Sequence, residues 1–482
     1  MNVNKPDIFK LLEAATISWS GKKPASILPL PVSGSARQYF RIKLKKMAII
    51  GVWSDNQPEN AAFIHFTEHF RQFGLNVPEL YFKDLEKNLY LIEDLGDETL
   101  YSYVLKMPAG EKIRDYAGSL FRSALKNLIR FQLVGSKGLS FSMCIPRAIF
   151  DEQSILWDLQ YFKYYVLKLF NIPFDEQKLE DDFNLMARFL ASVKNDYFMY
   201  RDFQSRNILI HDGDLYFIDY QGGRKGPLQY DLASFIFESR LNIPSDLREE
   251  LIDFYIKELS KQIKLNPVKF RELFYLFVFL RILQVLAAYG LRGYVQNKSI
   301  FLNSYSYAIK NLEWLLKNDL IKLETKELLQ AVEKVIHVSE IRDRLIESDV
   351  LTIYIHSFSF KYGIPKDYSG HGGGFVFDCR VLPNPGRFDE FKEMTGTNEP
   401  VIRFLEKYNE VNNFLEHVKA IMDISINDYR QKGMNRLMVS FGCTGGQHRS
   451  VYCAEKIAEY ISGKHKIKTV LVHGFYKNIG KQ

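Results

Sequence analysis

Cysteine is scarce in this chain, and its few cysteines show no paired spacing. Structural zinc sites and disulfide frameworks both need cysteines at short, fixed intervals, so the sequence predicts neither. The same scarcity favours a reducing compartment, where thiols stay unpaired. The four residues are Cys144, Cys379, Cys443 and Cys453.

A large excess of either charge is also missing. The 482 residues include 64 lysines and arginines against 57 aspartates and glutamates, which gives a net charge of +7. Over a chain of this length, so small an excess supplies no electrostatic reason to expect a nucleic-acid partner.

The chain has neither a basic-then-apolar leader nor an uninterrupted apolar run. The most apolar segment, 274–289, contains Arg281 and Gln284, which predicts a buried helix and not a membrane span. We therefore expect a cytoplasmic protein with no membrane partner. The composition is that of a globular protein (46% hydrophobic, 25% charged), and its length requires two or three domains.

The strongest chemical pattern lies between Tyr200 and Asp219. Asp202 stands five positions before Asn207, and Asp219 follows a predicted hairpin of two strands. Such a hairpin brings a base and two oxygen ligands for a metal to one place. The pattern predicts that Asp202 accepts the proton of a substrate hydroxyl, while Asn207 and Asp219 bind Mg²⁺ beside ATP. A surface hairpin with ordinary turn residues is the alternative.

These residues resemble aminoglycoside-phosphotransferase-like kinases. A closer similarity is to the bacterial kinases that phosphorylate N-acetylmuramate and N-acetylglucosamine at the anomeric hydroxyl, carried by Tyr-Arg-Asp-Phe-Gln-Ser-Arg-Asn, Ile-Asp-Tyr-Gln-Gly-Gly-Arg and Gly-Pro-Leu-Gln-Tyr-Asp-Leu-Ala-Ser. The resemblance implies an α+β, protein-kinase-like fold of two lobes over about residues 25–317. It also implies that Arg201 and Asp231 support the catalytic loop; a plain helix cap is the alternative role for Asp231. Tyr200 departs from the family, which usually has His there.

A turn of small residues precedes this stretch. Ser33, Gly34 and Ser35 separate an extended run from a strand at 39–42, which is the form of a nucleotide-phosphate loop in a first lobe. A plain hairpin explains the same residues. We predict that Arg37 adds a charge-assisted contact to phosphate.

The cation that holds the nucleotide phosphates is left open. Protein kinases place a lysine on the third strand, but the corresponding strand here, 47–52, has none in the expected position. Lys43, Lys45 and Arg37 are equal candidates. Glu59, near the start of a predicted helix, takes the place of the kinase helix glutamate.

A hinge and the domain boundaries complete the first part of the chain. Residues 89–96 resemble the hinge between kinase lobes, which implies that main-chain groups near Glu93 to Leu95 hydrogen-bond the nucleotide base. We predict an N-lobe of about 1–95, a C-lobe of about 96–317, a helical connector over 318–347 and a second domain over 348–482.

The second domain alternates strands and helices, which predicts a small α/β sheet with ligand contacts at the strand ends. The predicted strands are 351–358, 375–381, 436–441 and 469–475, and the predicted helices are 400–431 and 448–462.

The chemistry of this domain lies in the strand-loop-helix segment Gly-Cys-Thr-Gly-Gly-Gln-His-Arg-Ser at 442–450. Main-chain N–H groups and a helix N-terminus point to one place in such a segment, so it predicts anion binding. Cys443 and Arg449 have the spacing of the protein-tyrosine-phosphatase signature, in which the arginine closes over an oxyanion. We predict binding without hydrolysis, because no general-acid loop is evident. A catalytic Cys443 and a purely structural turn are the alternatives.

This domain resembles the C-terminal domain of the RNase adapter RapZ over about residues 350–475. The resemblance is carried by 357–365, 377–385 and 442–450, and in that family the domain binds an amino-sugar phosphate and a regulatory RNA. It implies an anion site made of Lys361, Arg380, Cys443, Thr444, Gly445, Gly446, His448 and Arg449. Because the chain has no Walker-type segment and only a mildly basic tail, we expect phosphate or a sugar phosphate as ligand, with RNA as the alternative.

The sequence thus predicts an ATP- and Mg²⁺-dependent kinase of an N-acetylated amino sugar, joined to an anion-binding regulatory domain. One alternative is a regulatory adaptor whose kinase half is a sensor; the intact Asp202, Asn207 and Asp219 argue against it. The other is an RNA-binding regulator, which would show a steep salt dependence of RNA affinity.

Overall fold

The computed structural model describes residues 7–31, 37–106, 117–296, 298, 301, 304–337, 351–365, 374–432 and 434–474. The chain forms two compact units, one of Met1–Leu291 with Ser304–Ile341 and the other of Arg292–Asn303 with Arg342–Gln482. The domain boundaries predicted from the sequence stay predictions, because residues 338–350 lie outside the described ranges.

The first unit contains eleven described helices and nine described strands. The helices are α1 (Ile8–Ser20), α2 (Gln57–Gln72), α3 (Leu100–Leu105), α4 (Gly118–Leu133), α5 (Glu152–Phe162), α6 (Glu176–Ala191), α7 (Leu228–Ile236), α8 (Ser245–Ser260), α9 (Pro267–Tyr289), α10 (Tyr305–Lys317) and α11 (Lys326–Ile336). The strands are β1 (Ser26–Pro29), β2 (Gln38–Lys43), β3 (Ala48–Trp53), β4 (Leu80–Asp84), β5 (Leu89–Glu93), β6 (Tyr197–Met199), β7 (Ile208–His211), β8 (Asp214–Phe217) and β9 (Arg224–Gly226).

The N-lobe is an antiparallel sheet of order β1-β2-β3-β5-β4. Alternate side chains of β5 serve its two faces: Leu89 and Leu91 pack in one cluster with Leu12 of α1, whereas Tyr90 stacks on Phe63 of α2. Gly51 of β3 lets α1 approach closely, since a Cβ there would lie 2.7 Å from a methyl carbon of Leu12. Helices α1 and α2 pack on opposite faces, and the central strand β3 is apolar along its whole length.

The C-lobe is helical and contains two short antiparallel strand pairs, β6-β9 and the hairpin β7-β8. In the described part of the chain, one helical segment, Pro267–Val295, is long and apolar enough to cross a membrane, but 72% of its most apolar window is buried inside the protein. The segment predicted as a buried helix is therefore a core helix, α9, with Arg281 in its interior face.

Part of the predicted connector packs onto the C-lobe. Helix α11 lies on α6, where Leu328 N donates to the Asp182 carboxylate at 2.9 Å and Asp175 N donates to the Glu327 carboxylate at 2.8 Å. The rest of the connector, from residue 338, lies outside the described ranges.

The second unit is a parallel sheet of order β11-β12-β10-β13 with helices between its strands. Its described elements are β10 (Thr352–Ser359), β11 (Phe375–Asp378), α12 (Glu399–Glu406), α13 (Asn409–Gln431), β12 (Arg436–Cys443), α14 (Arg449–His465) and β13 (Lys468–His473). All four strands end at the same edge, where ligand-binding loops of α/β sheets collect. The predicted fold class, a kinase-like two-lobed unit followed by a small α/β unit, is confirmed.

Two element predictions in this unit were too long. The strand predicted to reach residue 381 ends at Asp378, because the Asp378 carboxylate accepts a hydrogen bond from Arg380 N and starts a tight turn. The single helix predicted over 400–431 is two helices, α12 and α13, with a break after Glu406.

Candidate functional site

A tight hairpin brings the predicted catalytic residues together. Strands β7 and β8 pair from Ile208–Phe217 to His211–Asp214, and the turn between them is Asp212-Gly213 with φ of 49° and 86°. Two consecutive positive φ values define the turn type that favours Asp-Gly and fixes the register of a hairpin. The loop before β7 and the residues after β8 consequently lie at the same end.

Asp202, Asn207 and Asp219 meet at that end. The Asn207 amide nitrogen donates to the Asp202 carbonyl at 2.9 Å and to the Asp219 carboxylate at 3.3 Å. Because the amide nitrogen faces these two acceptors, the amide oxygen is the group presented to a cation. Gln221 fixes the other side of Asp219, donating to Oδ1 at 2.7 Å.

The electrostatics of this cluster suit a divalent cation. Burial raises the pKa of Asp219 and the negative charge of Asp202 raises it further, while the Gln221 hydrogen bond and the Arg37 charge oppose the shift. The Asp219 carboxylate and the Asn207 amide oxygen are hard ligands of the kind that Mg²⁺ prefers, and nucleotide phosphates would supply further oxygens. Within the described ranges, no group of three or more His, Cys, Asp or Glu side chains is placed to hold a metal ion.

A buried carboxylate holds the loop that carries Asp202. Asp231 on α7 is fully buried, and its two oxygens accept hydrogen bonds from Tyr200 N at 2.7 Å and Arg201 N at 2.9 Å. Burial raises the pKa of Asp231 to about 7, against the opposing effect of these two donors. Arg201 has φ of 78°, a conformation that costs energy for a residue with a side chain and therefore needs such support.

Two further contacts steady the same loop. The Arg201 guanidinium donates to both oxygens of Asp158 at 2.7 and 3.0 Å and lies against the rings of Phe150 and Tyr230. Tyr200, which replaces the family's histidine, donates from its hydroxyl to the Ile218 carbonyl at 2.5 Å. The tyrosine thus ties the catalytic loop to the residue before Asp219.

The three residues predicted as candidates for binding the nucleotide phosphates differ in burial. Arg37 is buried and donates to the Glu59 carboxylate at 3.1 Å. Its positive charge acts to lower the pKa of Asp219. Lys43 and Lys45 are exposed. The predicted phosphate-loop residues Ser33, Gly34 and Ser35 lie outside the described ranges.

The predicted hinge is held by an arginine that sequence reasoning did not identify. Arg41 of β2 donates to both oxygens of Asp94 at 2.6 and 2.9 Å, and it also contacts the Asp97 carboxylate. Leu95 is buried, and the Glu93 N–H is used by the Glu79 carbonyl at 2.9 Å. The Glu93 N–H is therefore already hydrogen-bonded to the Glu79 carbonyl and is not the group that would bind a nucleotide base.

In the second unit, the 443–448 loop wraps around the Cys443 sulfur. Gly446 N donates to that sulfur at 3.2 Å, and the Ser450 hydroxyl lies 3.1 Å from it. Gly446 has φ of 73°, and a Cβ on it would lie 2.9 Å from Ser359 N, so both the conformation and the space require glycine. The Ser359 hydroxyl supports the loop by donating to the Thr444 carbonyl at 2.6 Å.

The charged residues predicted for this anion site are mostly occupied by protein groups. Arg449 donates to the carbonyls of Arg380 and Leu382 at 3.0 Å, although its buried Nε has no hydrogen-bond partner among the described residues. Arg380 is bound by the carboxylate of Asp378, and the His448 ring contacts the Phe391 carbonyl at 2.8 Å.

The remaining predicted members of the anion site lie near the surface. Thr444, Gly445 and Lys361 are exposed at the carboxyl edge of the sheet, where the loops after β10 and β12 meet. Burial lowers the pKa of His448, which favours the neutral form of its ring.

Two protein-family models match the chain. The phosphotransferase enzyme family matches residues 26–265, and the RapZ C-terminal domain matches residues 351–474. Both domain-level resemblances predicted from the sequence are thereby confirmed, whereas the cell-wall sugar branch remains a prediction.

Curated relatives match part of the chain. A nucleotide-binding protein of Mannheimia succiniciproducens is 41% identical over 150 residues, which are 29% of this chain and 50% of that protein. The RNase adapter protein RapZ of Yersinia enterocolitica is 40% identical over 116 residues, 24% of this chain and 39% of that protein. The chain therefore spans half or less of the length of these relatives.

Solved structures resemble the first unit at low sequence identity. The choline kinase LicA from Streptococcus pneumoniae is 16% identical with a TM-score of 0.43, covering 64% of this chain and 99% of that one. A choline kinase from Cryptosporidium parvum is 13% identical with a TM-score of 0.47, covering 67% and 99%.

Replacing Asp231 by Asn tests the anchor of the catalytic loop. An amide has one acceptor oxygen, so one of the two main-chain N–H groups loses its partner in a buried position. We expect a loss of about 1–3 kcal/mol in the free energy of unfolding, measured by urea titration. Asp181→Asn, on the exposed surface of α6, is the control and should have no effect. Equal stability of the two variants would contradict the anchoring role.

Proposed function

Because the chain joins a phosphotransferase enzyme family domain to a RapZ C-terminal domain, we propose that it is an ATP- and Mg²⁺-dependent kinase of an N-acetylated amino sugar. The observation that carries this proposal is the hydrogen-bonded cluster of Asp202, Asn207 and Asp219 at one end of the β7-β8 hairpin. Kinase-like folds use a base, an asparagine and an aspartate in these places to transfer a phosphoryl group.

Each residue has a separate task in the proposed mechanism. Asp202 accepts the proton of the attacking hydroxyl, and Asp219 with the Asn207 amide oxygen holds Mg²⁺. The ion, when bound, neutralises charge on the nucleotide phosphates. Since phosphoryl transfer depends mainly on positioning and electrostatics, the rigid support of the loop by Asp231 and Arg201 is part of the catalytic apparatus.

We assign the phosphate-binding cation to Arg37. Arg37 is buried, pairs with Glu59 of α2, and acts through its charge to lower the pKa of Asp219. Lys43 and Lys45 are exposed. An Arg37-Glu59 pair then replaces the lysine-glutamate pair of protein kinases. Its guanidinium binds phosphate oxygens through more than one N–H.

The acceptor assignment rests on the three sequence segments around the catalytic loop and is tested by an acceptor panel. ADP release with Mg²⁺ is measured for N-acetylglucosamine, N-acetylmuramate, choline and an aminoglycoside. We expect turnover with an N-acetylated sugar, and a phosphate ester in the product by ³¹P NMR. Turnover with choline or the aminoglycoside alone would overturn the sugar assignment and leave the kinase assignment intact.

Asp202→Asn in the same assay tests the catalytic base. We expect turnover to fall by about two orders of magnitude or more, which is the usual size of a general-base contribution. The variant should still fold, because Asn keeps the shape and the Asp202 side chain is 49% exposed; any loss in the free energy of unfolding reflects the charged partner that the buried Arg281 loses. Near-normal turnover would show that Asp202 is not the base.

The metal site is tested by nucleotide binding. Asn207→Ala and Asp219→Ala each remove one oxygen ligand, so both should weaken the binding of Mg²⁺ with a non-hydrolysable ATP analogue in calorimetry. Asp214→Ala is the matched control, since Asp214 is an exposed acid of the same hairpin. Unchanged affinity in both site variants would count against this metal site.

For the second unit, we propose binding of a phosphate or sugar phosphate at the 443–448 loop without hydrolysis. The support is the strand-loop-helix geometry: the loop leads directly into α14, so main-chain N–H groups and a helix N-terminus lie together. The buried Arg449 Nε, which has no partner among the described residues, is the side-chain donor assigned to the ligand.

Titration of N-acetylglucosamine 1-phosphate and of inorganic phosphate into the full chain tests this loop. Arg449→Ala removes a charged contact of about 1.5–3 kcal/mol, so affinity should fall about tenfold or more. Cys443→Ser keeps the main chain and the arginine and should bind almost as tightly. The exposed Arg387 supplies the control variant Arg387→Ala. Release of free phosphate that depends on Cys443 would contradict binding alone.

A further inference from the structure

Arg281 is a buried cation in the most apolar helix of the first unit. It lies in the interior of α9 and is 6% exposed, among phenylalanine, leucine and isoleucine neighbours. A charge buried among apolar groups is costly and persists where it is paired. The Arg281 guanidinium therefore needs polar partners within the protein.

Its nitrogen atoms all have defined partners. Nη2 donates to Oδ1 of Asp202 at 3.1 Å, Nε donates to the Ser234 hydroxyl at 3.2 Å, and Nη1 donates to the Gln284 side-chain oxygen. The guanidinium also faces the ring of Tyr230 at 5.8 Å. Contacts with α7 and α9 thus hold the guanidinium in place, and its remaining hydrogen bond goes to the Asp202 carboxylate.

The neighbouring arginine has a different partner. Arg201 binds Asp158 on α5, and Tyr230 lies against both guanidinium groups. The two arginines therefore have different roles. Arg201 stabilises the loop through Asp158, and Arg281 binds the side chain of Asp202. The Asp202 side chain is 49% exposed, and the Arg281 guanidinium holds one of its carboxylate oxygens.

We propose that Arg281 is a positioning residue that orients the Asp202 carboxylate for proton transfer from the acceptor. This rests on the proposed function, in which Asp202 is the base. A displacement of a catalytic group by about 1 Å can cost on the order of 100-fold in rate, so fixing one carboxylate oxygen has a measurable kinetic value. The effect belongs to turnover and not to nucleotide affinity, since Arg281 contacts neither Asn207 nor Asp219 in the hydrogen bonds described.

The test is a double-mutant cycle in the full-length kinase. Arg281→Gln should lower kcat between about 10- and 100-fold, with KM for ATP within about twofold, and Arg281→Lys should restore part of the loss. In an Asp202→Asn background, Arg281→Gln should lower kcat no further, because the group through which it acts is already gone.

Arg248 provides the matched control. It is also 6% exposed in the same lobe, but its Nε donates to the Ile243 carbonyl at 2.7 Å and it lies over the Phe237 ring. Arg248→Gln should lower the urea midpoint and leave kcat of the folded protein unchanged.

The outcomes distinguish failure of the proposed kinase function from failure of the positioning role of Arg281. If Asp202→Asn leaves turnover intact, the proposed function itself fails. If Asp202→Asn lowers turnover as expected but Arg281→Gln lowers it further in that background, or changes the urea midpoint and not kcat, Arg281 is a structural residue and the positioning role is wrong.

Discussion

The two hydrogen bonds from the catalytic loop to Asp231 are the constraint on which the candidate active site depends. They hold the main chain of Tyr200 and Arg201, and so they fix the direction in which the chain enters Asp202. Without a buried acceptor on α7, the left-handed conformation of Arg201 would relax. The position of Asp202, the proposed base, would then be lost together with the hydrogen bond from Asn207 to its carbonyl.

Tyr220 extends this constraint to the N-lobe. Its ring stacks on Phe63 of α2 at 5.1 Å, and its hydroxyl lies 2.6 Å from the Thr67 hydroxyl. The residue after Asp219 is therefore packed against the helix that carries Glu59, the partner of Arg37. The proposed metal site and the proposed phosphate-binding arginine are therefore linked through the packing of Tyr220 against α2.

Local sequence patterns predicted the elements well because each rests on short-range chemistry. The Asp-Gly turn specifies the β7-β8 hairpin, and the glycines after β12 specify the loop around Cys443. The kinase-like fold class of the first unit came from the family resemblance of its motifs, and strand-helix alternation predicted the α/β fold of the second unit.

Long-range pairing could not be predicted in the same way. Arg281 meets Asp202 from 79 positions away, and Arg41 meets Asp94 from 53 positions away. A single sequence shows that these charges exist but not which of them meet. Arg281 did leave one signal, a cation within an apolar helix, and it was used only to exclude a membrane span. In the second unit, Arg380 and His448 fit an anion-binding motif, but the fold gives them partners within the protein.

The most direct test of the central claim is a crystal structure of the full chain with Mg²⁺ and a non-hydrolysable ATP analogue. The account predicts that the ion is bound by the Asp219 carboxylate and the Asn207 amide oxygen, with the terminal phosphate facing Asp202 and a phosphate oxygen on Arg37. A nucleotide bound away from the β7-β8 hairpin, or an ion that touches neither Asn207 nor Asp219, would contradict it.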